Sequence, residues 1–270
     1  MIEEKKAIIL RRMNEVLPKG NWKIFDAMSY TPKAGGKNLR AMIMLEVSED
    51  LGVEDMLDAA VAVELFHSGT LIHDDMPEID DATLRRGRKA SHLVFGPGIS
   101  LLAGDGLFFL AFKLISKYEK LFSIFSSVAY DVLIGEAMDV EMEDRAEFSE
   151  NDIYEMYEKK TGALFGFSLS APVIVKGVGN WKSFEKAGRE FGVAFQIYDD
   201  IKDFTMDSKS IGKDVGKDIN KKTLVKALGL DKAKKIADEI LERSLNFLKF
   251  SGLERTKSFL EESLELIKRG

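Results

Sequence analysis

The stretch "MLDAAVAVELFHSGTLIHDDMPEIDDATLRRG", residues 56–87, changes character halfway along. In its first half Met56, Ala59, Ala60, Val63, Phe66, His67 and Thr70 recur at three- and four-residue steps, and Val61, Leu65 and Ile72 widen the stripe. That is the period of an α-helix with an apolar face broad enough to be buried. In the second half Asp74, Asp75, Asp80 and Asp81 crowd together, and Arg85 and Arg86 follow at once. Pro77 ends the helix and lets Asp80 fold back near Asp74. Carboxylates gathered at the end of a buried helix need a cation, a proton or an arginine beside them.

The pattern returns in "FGVAFQIYDDIKD", residues 191–203, where Gln196, Asp199 and Asp203 are spaced three and four apart and share one helical face. The two segments form a weak pseudo-repeat, which predicts two helices facing one cavity. Around them the chain carries only five prolines, at 18, 32, 77, 97 and 172. The stretches 37–51, 100–118, 121–143, 151–169, 183–204 and 222–249 show the same helical spacing. Alternating strand patterns are nearly absent, and "PVIVKGVG" at 172–179 is the best candidate. The expected fold is all-α: a single-domain helical bundle over residues 1–270 around a central deep apolar cavity.

Composition narrows the chemistry. The chain is 45% hydrophobic and 31% charged with a net charge of -6, so no global positive field exists to draw in nucleic acid or an anionic membrane. It has no cysteine, which excludes disulfides, thiolate metal sites and cysteine nucleophiles and points to a reducing compartment. The N-terminal "MIEEKKAIILRRMNEV" lacks the apolar core of a signal peptide, and no apolar run is read as approaching the about 20 residues of a membrane span. A soluble cytoplasmic protein is expected. Aspartate oxygens with only three histidines favour Mg²⁺ over zinc, and Mg²⁺ prefers one or two carboxylates together with phosphate oxygens and waters. Two separated aspartate clusters therefore suit the bracketing of a diphosphate. A single such string is weak evidence, because charged helix ends are common; two, each ending an apolar helix, are a far more specific signal.

Basic residues complete the pattern. Lys37 and Arg40 lie in "GGKNLR", on one face of a starting helix. Lys160 and Thr161 lie in "EKKTGALFG", and Lys213, Lys217 and Lys222 lie in "SIGKDVGKDINKKT". Singly, each reads as a surface charge. Together, and in this order, "GGKNLR", "HDDMPEIDDATLRRG", "LLAGDGL", "KKTGAL" and "FQIYDDIKD" followed by the lysine-rich loop resemble the trans-isoprenyl diphosphate synthases, the head-to-tail prenyltransferases, over about residues 35–229.

The resemblance implies a Mg²⁺-dependent enzyme that condenses isopentenyl diphosphate with an allylic diphosphate. It implies that Asp74 and Asp80 hold two Mg²⁺ ions and Asp199 a third, with Asp75, Asp200 and Asp203 in support. Arg85, Lys160, Thr161, Gln196, Lys213 and Lys222 are then the contacts of the allylic substrate and its diphosphate. Lys37, Arg40, His67 and Arg86 are those of isopentenyl diphosphate. The catalytic set is Asp74, Asp80, Arg85, Lys160, Asp199 and Lys213. A homodimer is implied as well. His67 alone reads as a satisfied core histidine, but it precedes Asp74 by seven residues, two helical turns, and can face the same cavity. The sequence departs from the family pattern at Asn38 (usually arginine), Ala41 (usually proline) and Glu136 (usually glutamine), and "NKKT" is one residue shorter than is common.

The prenyl chain would lie along the helix preceding Asp74. Gly69 and Thr70, one turn deeper, leave that level open, and Phe66, two turns deeper, forms the floor, which predicts a product of fifteen or twenty carbons. The competing readings are a long-chain synthase, a class I terpene cyclase and a silent synthase subunit. A cyclase needs no second diphosphate site, and silent subunits tend to lose one acidic cluster; both clusters are intact here.

Overall fold

The structure is a computed structural model in which residues 2–145, 147–207 and 222–269 are described. Its elements run α1 (Ile2–Val16), α2 (Lys23–Lys33), α3 (Leu39–Leu51), α4 (Leu57–Asp74), a hairpin of β1 (Leu84–Arg85) and β2 (Arg88–Lys89), α5 (Ser91–Phe95) and α6 (Pro97–Ile115). There follow α7 (Glu119–Asp144), α8 (Glu150–Tyr157), a π-helical turn (Glu158–Gly162), α9 (Ala163–Lys176), α10 (Trp181–Asp207), α11 (Leu224–Leu228), α12 (Leu230–Phe250) and α13 (Glu254–Arg269). The fold class is all-α, as the periodicity predicts. Two compact units divide the chain, one of residues 1–45 and 54–122, the other of 46–53 and 123–270.

In the first unit α4 is the central helix. Residues from Ala59 to Phe66 are buried almost without interruption, so the stripe read from the sequence is buried on nearly every side. Its principal neighbour is α6, with α1 and α2 also packed on it. The contact with α6 is aromatic: Phe66 and Phe108 lie 4.7 Å apart between ring centroids, and Phe66 and Phe112 6.4 Å. Arg12 of α1 donates to Asp58 at the start of α4 at 2.6 Å and anchors that end.

In the second unit α10 is central, packed against α9 on one side and α12 on another. The α9–α10 seam is built on glycine: a Cβ at Gly192 would stand 2.6 Å from the Gly162 Cα, and one at Gly188 2.5 Å from the Phe165 carbonyl oxygen. On the α12 side Ser244 donates to the Ala187 carbonyl at 2.8 Å and Tyr198 donates to Asp238. Asp50 caps the first turn of α13, accepting from the Thr256 N–H at 2.9 Å and its hydroxyl at 2.7 Å.

The structure corrects four sequence-based expectations. Residues 172–176 are the end of α9, not a strand: Val173 and Ile174 are buried with the rest of that helix, where burial outweighs β-branched propensity. The stretch 222–249 is two helices, because Gly229 at φ +83° breaks the path. α3 starts at Leu39, so Lys37 precedes the helix and only Arg40 stands on it. Finally, α6 and α7 are long and apolar enough, by length and composition, to cross a membrane, with 39% and 28% of their apolar windows buried within this chain.

Candidate active site

In the first unit the acidic turn has the geometry that Pro77 dictates. α4 stops at Asp74, the Met76 N–H donates to the His73 carbonyl at 2.9 Å, and the Asp80 N–H returns to the Asp74 carbonyl at 2.9 Å. Asp74 and Asp80 are thereby neighbours, both half-buried. Asp75 differs. Successive residues on a helix point about 100° apart, so Asp74 and Asp75 cannot share a face. Asp75 is 1% exposed, and its Oδ1 accepts from Arg85 Nε at 2.9 Å and from a second Arg85 nitrogen. Burial works against the Arg85 charge. Its hydrogen bond to Asp75 and the charges of Asp75, Asp74 and Asp80 outweigh that and hold its pKa up.

Arg85 and Arg86 are aimed by the β1–β2 hairpin, a feature the sequence reading missed. Its two-residue turn, Arg86 and Gly87, has φ of +54° and +73°, and the strands pair Leu84 with Lys89 and Arg85 with Arg88. Two positive φ values make the tight turn whose twist suits a two-residue hairpin, and the following glycine was the available signal. Arg86 donates to the Gly35 carbonyl, which ties it to the "GGKNLR" loop.

The same unit concentrates cations around α4. Arg40 has its pKa lowered to about 10, chiefly by burial and further by the charge of Arg86, while Glu64 works the other way. His67 is held well below the ordinary imidazole value by burial and by the charges of Arg40, Arg86 and Arg85, so it is neutral at pH 7. Glu64, absent from the sequence-based list, supplies the counter-charge. It is 4% exposed, its Oε1 accepts from the Ala41 N–H in the first turn of α3 at 3.0 Å, and burial raises its pKa against the pull of Arg40, that N–H and Arg86. A lone acid inside the apolar stripe "AVAVELF" was the signal for it. Lys37 is exposed.

One level below Asp74 the expectation changes. Gly69 does not leave space: a Cβ there would meet Phe108 Cε1 at 2.7 Å and the Gly104 carbonyl at 3.0 Å. The aromatic at that level comes from α6, with His73 edge-on to Phe108 at 5.1 Å and Phe66 tilted against Phe108 at 4.7 Å. Thr70 donates to the His67 carbonyl at 2.9 Å within α4.

In the second unit the π-helical turn carries Lys160 and Thr161. Lys160 Nζ lies 3.0 Å from Glu136 Oε1 and 2.5 Å from Asp139 Oδ2, so two carboxylates one turn apart on α7 clamp it. Thr161 donates to Gln196 Oε1 at 2.8 Å, and Gln196 Nε2 donates to Asp200 Oδ1 at 3.0 Å. Tyr157 donates to Asp200 Oδ2. Both Asp200 oxygens are therefore engaged. Its pKa rises to about 7, mainly through burial, with Asp199 and Asp203 adding to the rise and the Tyr157 and Gln196 bonds opposing it. Asp199 is half-buried and Asp203 exposed. Lys222 Nζ stands 5.4 Å from the Phe148 ring centroid. Lys213 and Lys217 lie outside the described residues.

Among the described residues no three carboxylate or imidazole groups converge to hold a metal ion by themselves. The donor set nonetheless fits Mg²⁺, which takes one or two carboxylates and completes its shell with substrate phosphates and water. Asp74 and Asp80 offer such a pair of hard oxygen donors.

The chain matches the model of the family described as polyprenyl synthetase over residues 22–262. It is 33% identical over 216 residues to a geranylgeranyl diphosphate synthase from Methanosarcina mazei, covering 76% of this chain and 66% of that protein. It is 34% identical over 259 residues to a farnesyl diphosphate synthase from Bacillus subtilis, covering 89% and 86%. Its structure superposes on the crystal structure of a geranyltranstransferase from Thermotoga maritima with a TM-score of 0.92 at 45% identity, covering 100% of this chain and 99% of that one.

Proposed function

The chain belongs to the polyprenyl synthetase family of trans-prenyltransferases, and from that premise we propose that it condenses isopentenyl diphosphate with an allylic diphosphate to give a C15 or C20 prenyl diphosphate. One observation carries the reading. A single helix, α4, ends in the Asp74–Asp80 pair and, seven residues earlier, lines a cationic group of Arg40, Arg86 and neutral His67. Carboxylates can hold one diphosphate only through metal, whereas the arginines hold another directly. A condensation of two diphosphates needs both kinds of site, and a terpene cyclase needs one.

Asp74, Asp80 and Asp199 are the proposed Mg²⁺ ligands, with Asp203 in support. Asp75 and Asp200 hold the protein's own donors instead. Bound Mg²⁺ supplies electrostatic stabilisation of the charge that develops on the departing diphosphate. Arg85, fixed by Asp75, donates to that diphosphate, and Lys160, Thr161, Gln196 and Lys222 act on the allylic substrate. Arg40, Arg86, Lys37 and His67 bind isopentenyl diphosphate. The double bond attacks the allylic cation and a proton is lost to the departing diphosphate, so no side-chain nucleophile is required. Phe108, which fills the Gly69 level one turn below Asp74 with Phe66 tilted against it, supports a short product.

The reading extends to a single synthase domain over both units, supported by the continuous match over residues 22–262. It also extends to a homodimer in a reducing, cytoplasmic setting. Exposed Leu101, Leu102 and Phe109 on α6, and exposed Tyr130, Leu133 and Val140 on α7, are the apolar faces a second copy would cover.

The test is incubation with labelled isopentenyl diphosphate and each allylic diphosphate, with and without Mg²⁺, followed by chromatography of the dephosphorylated products. Mg²⁺-dependent elongation stopping at fifteen or twenty carbons is expected. Folded protein that elongates no starter overturns the reading.

A further inference from the structure

Tyr157 is the last residue of α8 and is 2% exposed, and its hydroxyl makes two bonds that meet nowhere else among the described residues. It donates to Asp200 Oδ2 on α10 and accepts the Leu224 N–H at 3.2 Å. Leu224 opens α11, with Thr223 as the capping residue whose hydroxyl accepts from the Lys226 N–H at 3.3 Å. The first N–H groups of a helix have no partner within it, and Leu224 is fully buried, so Tyr157 satisfies a donor that water cannot reach. The bond has a geometric consequence. Thr223 and Lys222 directly precede Leu224, so one hydroxyl ties the start of that segment to the carboxylate that also receives Gln196 and, through it, Thr161. The ordered chain runs Thr161, Gln196, Asp200, Tyr157, Leu224, and joins Thr161 and Gln196, two groups assigned above to the allylic substrate, to the residue two positions after Lys222, a third.

We propose that Tyr157 is a positioning residue: its hydroxyl sets Lys222 and Thr223 in register with Asp200, so that the Lys222 ammonium is held where it meets the allylic diphosphate. The proposal rests on the functional reading above for the identity of that ligand, but not for the tether itself. Tyr157 touches no reacting atom. Its ring fills buried space that phenylalanine would fill equally well, so Tyr157→Phe removes the tether and leaves the packing.

The experiment uses the full chain as wild type, Tyr157→Phe, Lys222→Ala and the double variant. Losing a bond that orients a charged contact should raise KM for the allylic diphosphate about tenfold and leave kcat within about twofold. The double variant should be no worse than Lys222→Ala alone, because Tyr157 acts through Lys222. Amide hydrogen exchange at Leu224 should accelerate in Tyr157→Phe while that of Phe167, inside α9, stays unchanged. An unchanged KM, or effects of the two substitutions that simply multiply, overturns the positioning role. A general loss of protection that includes Phe167 also overturns it, since the hydroxyl would then support the whole unit. Wild-type protein that elongates nothing overturns the functional reading instead, and the Leu224 exchange rate then decides the tether alone.

Discussion

Glu64 poses a sharp question because two physical roles coincide in one buried carboxylate, and they predict different outcomes for two substitutions. As a hydrogen-bond acceptor it satisfies the Ala41 N–H at 3.0 Å, a first-turn donor of α3. As a charge it faces Arg40 and Arg86. Replacement by alanine removes the acceptor and orphans a buried N–H, which costs about 1–3 kcal/mol. Replacement by glutamine keeps an acceptor oxygen and removes only the charge. The sign of that second effect follows from the pKa of Glu64, which burial raises more than its cationic neighbours lower it. A raised carboxylate pKa means the folded state prefers the neutral form relative to the unfolded chain, so the stability this group contributes is largest at low pH and is lost as pH rises through the folded value. At pH 7 a neutral isostere should therefore cost less than about 1 kcal/mol, well under the alanine change. Urea denaturation of Glu64→Ala and Glu64→Gln, without substrate, measures both. Inorganic diphosphate should then stabilise Glu64→Gln more than wild type, because the arginines have lost their counter-charge. If glutamine destabilises as much as alanine, charge balance and not the hydrogen bond is what Glu64 supplies, and the reasoning fails.

The tilted Phe66–Phe108 pair predicts that Phe108→Ala, and also Phe66→Ala, lengthens the product on chromatography; an unchanged product length removes these rings as the floor. Gly192→Ala would force a Cβ to 2.6 Å from the Gly162 Cα, and should cost about 1–3 kcal/mol in denaturant titration, with a cost below about 0.5 kcal/mol indicating a looser seam. His67 has a depressed pKa, so its stability contribution is present above the unfolded value of about 6.5 and is lost as pH falls through and below it. Between pH 8 and 5 the His67→Gln variant should show a flatter stability profile than wild type, and a parallel profile would place the titration elsewhere. Phe109→Glu together with Leu133→Glu should convert a dimer to monomer in sedimentation analysis, with an unchanged mass counting against those faces as the interface.

Much of this arrangement was legible because periodicity and turn chemistry act locally. The α4 stripe, the stop enforced by Pro77 and the return of Asp80 to Asp74 all follow from residues within a few positions of one another. Misreadings arose where a distant element decides. Gly69 looks like open space along α4 but is filled by Phe108, 39 positions later, and nothing near Gly69 announces that ring. Residues 172–176 have strand-like composition, yet burial within α9 sets their conformation. Glu136 read only as a departure from a pattern, whereas the structure pairs it with Asp139 around Lys160 across 24 and 21 positions.

The two "DD" pairs show what the spacing could not separate. In each, the second aspartate is taken up by the protein itself: Asp75 by Arg85, Asp200 by Tyr157 and Gln196. Asp74 is half-buried beside a buried Asp75, while Asp199 and Asp200 are alike half-buried. A carboxylate whose lone pairs already receive strong donors is a poor ligand for an incoming cation, because binding would break bonds that are costly to leave unmade. The division has a use. Asp75 converts burial into a fixed direction for Arg85, and Asp200 does the same for Tyr157 and Gln196, so the second residue of each pair orients groups of the protein itself. Replacing either by asparagine should therefore disturb the geometry of those partners before it disturbs metal affinity, whereas the same change at Asp74 or Asp199 should act on Mg²⁺ dependence directly. Titrating activity against Mg²⁺ separates the two: a rightward shift for Asp74→Asn and Asp199→Asn, and a lower plateau at an unchanged midpoint for Asp75→Asn and Asp200→Asn. Identical shifts for both members of a pair would show that the helix, despite its about 100° step, presents both carboxylates to the metal.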